Sequence, residues 1–281
     1  MNPNLSGLLA QTDRVMSGSN HAGSNTESIE SVSQPVHVGV DLGTAYTVLV
    51  VLDDHYQPIA GMYQFAQIVR DGLVVDFVGA VDLLRKMKSQ VEKTLGFPLT
   101  SAASAYPPGV PPAEVRATAN VLFGAGLDCT GLIDEPSAAN NVLQITDGAI
   151  VDVGGGTTGI AVLKNGKVIY TADEPTGGTH FSLVIAGSTG STFEEAEAMK
   201  KDPNEQTRLF LVIRPVMEKV GTIVRRHIAG HKVDKIYLVG GTCAYPGMSQ
   251  VIQEVTGIET TLPGNPLFIT PLGIAIRNAK R

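Results

Sequence analysis

Residues 149–163 read Ala-Ile-Val-Asp-Val-Gly-Gly-Gly-Thr-Thr-Gly-Ile-Ala-Val-Leu, and the fold turns on how this stretch is read. A short apolar run carries Asp152 near its end. Gly154, Gly155, Gly156, Thr157 and Thr158 follow, and a second apolar run starts at Ile160. Apolar runs of this length, bounded by glycine, predict buried strands, so the glycines sit at the tip of a strand–turn–strand unit. A Rossmann loop would lead from its glycines into a helix, and residues 160–163 are too β-rich and too short for that. Glycine at a hairpin tip lets backbone N–H groups face outward and meet a ligand with no Cβ in the way. Successive outward N–H groups suit phosphate oxygens. Hydroxyls at Thr157 and Thr158 add donors, and the Asp152 carboxylate can hold a hydrated Mg²⁺ beside them. The plainer alternative is a tight glycine turn in an ordinary sheet.

A second stretch repeats the pattern. Residues 36–52 read Val-His-Val-Gly-Val-Asp-Leu-Gly-Thr-Ala-Tyr-Thr-Val-Leu-Val-Val-Leu: an apolar strand carrying Asp41, then Gly43 and Thr44, then a β-branched strand. Asp152 lies 111 positions after Asp41. Two like hairpins one lobe apart suggest two like lobes facing one nucleotide.

The bulk composition fits. At 281 residues and 43% apolar content the chain can bury a sizeable core, as one large domain or two lobes. The 31 glycines suit a turn-rich α/β protein. A net charge of −6 and the absence of tryptophan argue against nucleic acid as a partner. The two cysteines, Cys129 and Cys243, form no CxxC pair, which excludes a disulfide framework or zinc knuckle and fits a reducing cytosol. No secretory signal pattern is visible, and no apolar run approaches the ~20 residues of a membrane span. The expectation is a cytoplasmic protein with no membrane partner.

Along the chain, residues 1–34 read as a disordered tail, rich in Ser, Asn, Gln and Gly from Ser17 onward. Leu5, Leu8, Leu9 and Val15 or Met16 fall near helical spacing, so a docking segment is the alternative there. Strands are expected at 58–65, 72–77, 102–106 and 127–133, and helices at 78–95 and 113–123. Glu135 then ends a strand and Pro136 opens a helix, which aims a carboxylate out of the sheet's C-terminal edge. The plainer role for Glu135 is to favour the helix N-terminus through its dipole. In the second half, Thr176-Gly177-Gly178-Thr179-His180 opens a helix, 193–200 and 207–228 are helical, and the strand 235–239 runs into Gly240, Gly241 and Thr242. A diglycine there could let a flat nucleoside lie against the backbone. His227 and His231 have a metal-ligand spacing, but Gly230 interrupts the helix between them and no third ligand is near.

The order of motifs is more specific than any one of them. An Asp-Leu-Gly-Thr hairpin, a Glu-Pro-x-Ala-Ala junction, an Asp-x-Gly-Gly-Gly-Thr hairpin, a Val-Gly-Gly-Thr turn and a Pro-Leu-Gly-Ile-Ala helix occur in sequence. This resembles the superfamily of actin, sugar kinases and DnaK-type chaperones, from Val36 onward. Within it, residues 69–81, Pro107-Pro108-Gly109 and Gly177-Gly178-Thr179-His180 resemble the ethanolamine-utilisation protein J family. The resemblance implies an α/β fold of two RNase-H-like, actin-like ATPase lobes around a nucleotide cleft, with reduced outer subdomains. The first lobe would comprise 35–147 with a returning helix at 268–281, and the second 148–267.

Carried over position by position, the resemblance implies ATP and Mg²⁺ as ligands. Asp41 and Asp152 would sit around the Mg²⁺ and its waters. Gly43, Thr44 and Ala45 would wrap the β- and γ-phosphates from one side, and Gly154, Gly155, Gly156 and Thr157 from the other, with Thr158 beside them. Glu135 matches the acid that helps place the attacking water. Gly240, Gly241 and Thr242 would border the adenosine, and Glu197 and Lys200 resemble a helix that touches the ribose. The stretch between the first hairpin and the helix at 78 leaves little room for the extra subdomain that carries a lysine near the attacking water in DnaK-type chaperones, and a peptide-binding domain of their kind is not expected here. The implied function is a slow ATPase acting on a protein client in bacterial ethanolamine utilisation, with the cobalamin-dependent ethanolamine ammonia-lyase or microcompartment shell proteins as candidates. The alternatives are a non-hydrolysing, nucleotide-gated scaffold and a small-molecule kinase.

Overall fold

The computed structural model describes residues 1–18, 35–70 and 73–279, which fall into two compact units, Met1–Gln144 with Phe268–Arg281, and Ile145–Leu267. Unit 1 opens with α1 (Leu5–Val15) and a three-residue strand β1 (Met16–Gly18). There follow β2 (His37–Leu42), β3 (Tyr46–Leu52), β4 (Pro58–Phe65) and a small hairpin of β5 (Val69–Arg70) and β6 (Leu73–Val74). Then come α2 (Phe77–Leu95), β7 (Ser101–Tyr106), α3 (Pro112–Gly124), β8 (Asp128–Asp134) and α4 (Glu135–Leu143). The sheet order is β1-β4-β3-β2-β7-β8: β2, β3 and β4 form an antiparallel meander, and β7 and β8 continue parallel to β2.

Unit 2 repeats this plan. It runs β9 (Gly148–Val153), β10 (Thr158–Lys164), β11 (Lys167–Glu174), α5 (Gly178–Thr189), α6 (Phe193–Lys201), α7 (Pro203–Ile228), β12 (Lys235–Val239), α8 (Met248–Thr256) and β13 (Glu259–Thr261). Its order β11-β10-β9-β12-β13 matches β4-β3-β2-β7-β8, with the same antiparallel meander and the same parallel extension. The final helix, α9 (Ile269–Ala279), belongs to unit 1.

Local chemistry accounts for the elements. Asp76 caps α2 by accepting from the Gly79 amide, and Gly96, at φ +81°, ends it. In α7, Leu209, Ile213, Val216, Val220, Val224 and Ile228 recur at helical spacing and face the unit 2 core. The period of two in the strands decides which helices each face meets. On β2, Val38 and Val40 join Leu84, Met87 and Val91 of α2 in one core. Gly39 points the other way, where a Cβ would meet Pro271 O at 2.6 Å and the Ala275 amide nitrogen at 2.7 Å. There α9 lies directly on the strand backbone. It also crosses α4 so closely that a Cβ on Gly273 would fall 1.7 Å from Ala138 O, and Asn141 Nδ2 donates to Gly273 O at 3.0 Å. The alanines of Glu-Pro-Ser-Ala-Ala and the glycine of Pro-Leu-Gly-Ile-Ala are thus two sides of one backbone crossing.

Residues 1–18 correct the expectation of a disordered tail over 1–34. Leu5, Leu9 and Thr12 are buried on one side of α1, and β1 extends the sheet by pairing parallel to β4. The leucine spacing was visible in the sequence, but the open strand edge that receives it was not. Residues 19–34 lie outside the described residues, as do Asp71 and Gly72, the latter being the first position of the expected 72–77 strand.

The α4–α9 crossing has no slack. Gly273→Val should lower unfolding free energy by about 2–4 kcal/mol in urea denaturation. Gly187→Ala in α5, where an added Cβ meets nothing within 4 Å, should be neutral or slightly stabilising. Equal stabilities for the two variants would mean that the crossing can open without cost.

Candidate functional site

In unit 2 the site grows from the β9–β10 hairpin. Asp152 pairs with Gly159 and Val153 with Thr158, and the turn closes where the Gly154 amide donates to Thr157 O at 3.0 Å. The carbonyls of that turn are fastened from behind. Gly154 O accepts from the Gly178 amide at 2.9 Å and from Thr242 Oγ1 at 2.8 Å, and Gly155 O accepts from the Thr179 amide at 2.8 Å. In a planar trans peptide the N–H points opposite to its C=O. Fixing those two carbonyls on α5 therefore turns the amides of Gly155 and Gly156 away from it. Among the described residues these amides have no backbone acceptor. The result is a pair of outward, prealigned donors suited to phosphate oxygens.

Three glycines make the arrangement possible. A Cβ on Gly177 would lie 2.6 Å from Gly154 O and 2.8 Å from Gly155 O, and one on Gly178 would lie 2.5 Å from Thr242 Oγ1. Gly240 has φ +89°, and a Cβ there would meet Asp152 Oδ1 at 2.3 Å. Its amide donates to Pro266 O at 3.0 Å. The turn that follows β12 can therefore lie against Asp152 because Gly240 carries no side chain. Gly241 is less constrained, since its nearest neighbour would be the tip of the Leu267 side chain at 3.2 Å. A short 3₁₀ turn (Gly241–Ala244) precedes α8. In that turn Cys243 is fully buried beside Asp152, and burial followed by that charge raises the thiol pKa, so it stays neutral.

Glu197 and Lys200 converge on the first turn of α5. Lys200 Nζ donates to Gly178 O at 3.1 Å and Ser182 Oγ at 3.0 Å, and pairs with Glu197, which also accepts from Ser182 Oγ at 2.6 Å and pairs with Lys201 at 3.0 Å. Burial pushes the Glu197 carboxyl up. The Lys200 ammonium, Ser182 hydroxyl and Lys201 outweigh it, so the carboxyl lies below its ordinary value. These side chains brace the helix whose amides hold the glycine hairpin.

Thr158 is a correction. Its side chain is fully buried and its hydroxyl donates to Thr176 O at 2.6 Å, so it ties β10 to the loop before α5 and cannot present a donor at the hairpin mouth. Sequence reasoning also gave no role to Gly177, Gly178 and Ser182. The Thr-Gly-Gly-Thr-His run was the available signal. His180 is used locally, its Nδ1 accepting from the Gly177 amide at 3.3 Å. His227 accepts or donates at both ring nitrogens, to Tyr170 OH at 2.7 Å and Glu174 Oε1 at 2.8 Å, while the His231 ring packs on Tyr170. That histidine pair fastens β11 to α7.

Unit 1 builds the same turn with different residues. Asp41 pairs with Val48 and Leu42 with Thr47, and the Gly43 amide donates to Tyr46 O at 3.0 Å. The spacing from Asp41 to its partner equals that from Asp152 to Gly159. A Cβ on Gly43 would lie 2.7 Å from Tyr46 O. Among the described residues the amides of Thr44 and Ala45 have no backbone acceptor, while Ala45 O accepts from the Ala66 amide at 3.0 Å. Buried Ser104 Oγ donates to Val40 O at 2.6 Å and steadies the strand beside Asp41. Glu135 is the first residue of α4, after Asp134, whose carboxylate caps the helix by accepting from the Ser137 amide at 3.0 Å. Since β2, β7 and β8 are parallel, Asp41 and Glu135 lie on the same C-terminal edge, two strands apart, or roughly 10 Å.

Comparison with known proteins agrees with this architecture. A family model for type IV pilus assembly protein PilM matches residues 137–270, and one for MreB/Mbl protein matches residues 61–194. The chain is 44% identical over 242 residues to ethanolamine utilization protein EutJ of Salmonella typhimurium, covering 86% of this chain and 85% of that one. It is 24% identical to the chaperone protein DnaK of Thermus thermophilus, over 69% of this chain but only 42% of the chaperone. Among solved structures, EutJ from Carboxydothermus hydrogenoformans superposes with a TM-score of 0.89 at 44% identity, covering 97% of this chain and 98% of that one. MreB5 of Spiroplasma citri bound to ADP superposes with a TM-score of 0.68 at 18% identity, over 85% and 95% of the two chains, which is a likeness of fold. The chain belongs to the ethanolamine utilization protein EutJ family and has an actin-like ATPase fold.

Proposed function

We propose that this protein is a Mg·ATP-binding ATPase that uses its nucleotide state to act on partner proteins in bacterial ethanolamine utilisation. The observation that carries the reading is the unit 2 hairpin. Its carbonyls are fixed on α5 and Thr242, its Gly155 and Gly156 amides are turned outward, and Asp152 lies beside them. The matching turn after Asp41 supports the same chemistry in unit 1.

The residues suit Mg²⁺. It is commonly held by one or two carboxylates, with waters and substrate phosphates completing its shell, and Gly240 leaves open the space at Asp152 Oδ1 that a Cβ would fill. Asp152 and Asp41 would hold the ion through water, and its charge would offset that of the phosphates. The amides of residues 155 and 156 would orient the phosphoryl oxygens, as would Thr157 and the turn at residues 43–45. Glu135 would position the attacking water. Gly240, Gly241 and Thr242 would border the adenosine. Phosphoryl transfer draws most of its acceleration from positioning and charge neutralisation, so slow turnover is expected from a site this sparse. The family supports a client within the ethanolamine pathway. We propose the ammonia-lyase or a microcompartment shell protein, with the chain acting in the cytoplasm or at the compartment.

Purified protein should release phosphate from Mg·ATP, and Asp152→Ala should abolish Mg-dependent binding and turnover while keeping the far-UV spectrum. Glu135→Gln should keep binding within about threefold and slow release about a hundredfold. Tight Mg·ATP binding without release in the parent would give the non-hydrolysing scaffold instead. Absence of binding would overturn the reading.

Lys200→Met tests the ribose role against the bracing role. The substitution should cost about 2–3 kcal/mol of stability, because Glu197 keeps only part of its compensation. If Lys200 also meets the nucleotide, ATP affinity measured well below the melting transition should fall about tenfold. Unchanged affinity would confine Lys200 to bracing α5.

A further inference from the structure

Residues 1–18 are attached to unit 1 as a ligand is attached to a site. Asn2 sits at the C-terminal end of α4, where its amide donates to Leu143 O at 2.8 Å and its Nδ2 to Val142 O at 3.1 Å. Those are carbonyls that a helix end leaves without an intrahelical partner. Leu5 and Leu9, four apart on α1, are buried, and Gln11 Nε2 donates to Pro58 O at 3.0 Å at the start of β4. The chain then straightens, and Met16, Ser17 and Gly18 pair in parallel with Gly61, Met62 and Tyr63. Gly61 makes the fit possible: a Cβ there would fall 2.2 Å from Met16 Sδ and 2.9 Å from Leu49 O.

The receiving surface is specific. It offers an open strand edge, a space over Gly61 for an unbranched side chain, a cleft for two leucines and two helix-end carbonyls for an amide side chain. In unit 2 the corresponding strand, β11, has no further strand on its outer side among the described residues. The edge is therefore filled by an added element and not by the repeated fold itself. Sixteen positions, 19–34, separate this segment from the next described residue. Its release would break one short ladder and a few hydrogen bonds and expose Leu5 and Leu9, a local opening that leaves the cores of both units intact.

We propose that the outer edge of β4 and the end of α4 form a peptide-docking groove, filled in cis by residues 1–18 and exchangeable with a partner segment of the same chemistry. That chemistry is an asparagine, a short helix with leucines four apart, and an extended stretch carrying an unbranched apolar residue at the Met16 position. Strand addition supplies the affinity and the side-chain sites supply the selectivity. The groove is coupled to the candidate site through α4, since the helix whose last carbonyls bind Asn2 begins at Glu135.

The test needs no nucleotide, so it stands or falls separately from the ATPase reading. A specific protease site is placed within residues 19–34, and the folded full-length protein is cut there. The cut segment should remain bound on gel filtration and exchange with a labelled peptide of residues 1–18, whereas the uncut protein should bind that peptide at least tenfold more weakly because its own segment competes at high effective concentration. Asn2→Ala in the peptide should weaken exchange about tenfold, and Met16→Asp should abolish it. Gly61→Leu in the cut protein should release the segment while leaving the melting of unit 2 unchanged. A cut segment that never exchanges, or a peptide that binds cut and uncut protein equally, would overturn the proposal.

Discussion

Two amides at the start of α5 hold the carbonyls of Gly154 and Gly155, and the rest of the unit 2 site is arranged to keep them there. Because a peptide unit is rigid, anchoring its oxygen on one side presents its N–H on the other. Everything nearby must then be thin or braced. Gly177 and Gly178 let α5 approach the hairpin backbone, Gly240 lets the turn after β12 approach Asp152, and Thr242 adds a second donor to Gly154 O. The half-buried Lys200, with buried Glu197 and Ser182, fixes the first turn of α5 itself. A glycine loop that would be loose in isolation becomes a preorganised set of donors.

The same logic of backbone meeting backbone recurs in unit 1, where it orders helices instead of a loop. Gly273 and Ala138 allow α4 and α9 to cross almost in contact, and Gly39 allows α9 to rest on β2. The crossing fixes α4, and so fixes Glu135 at its start relative to Asp41 on the same sheet edge. At the other end of α4, Asn2 covers the final carbonyls. One short helix thus links the candidate water-positioning acid, the closing helix of the chain and the docked segment of residues 1–18.

The two hairpins, the Glu135 junction and the Gly240 turn could be read from residue order, because each combines an apolar run of strand length with residues suited to a tight turn. Several details could not. Thr158 follows the glycines as a donor should, yet period two in β10 turns it inward, and the buried hydroxyl is taken by Thr176 O. His227 and His231 have a ligand-like spacing, yet β11 brings Tyr170 and Glu174 against them. The leucines of α1 were legible as helical spacing, but which strand edge would accept them depended on β4 lying outermost in the sheet.

The sequence by itself determined the strand–turn–strand units, the duplicated Asp-x-Gly turn and the order of motifs, because these follow from local periodicity and from the conformational freedom of glycine. Only the tertiary structure decided which backbone groups of a turn are already occupied and which are left outward. It also decided that the Thr176–His180 run holds the glycine hairpin from behind, that Lys200 and Glu197 brace that run, and that residues 1–18 lie on the β4 edge. The reason is the same in each case. Such assignments depend on partners 15 to 141 positions distant in the chain, such as Gly178 for Lys200 or Leu143 for Asn2, and a residue's neighbours in sequence carry no record of them.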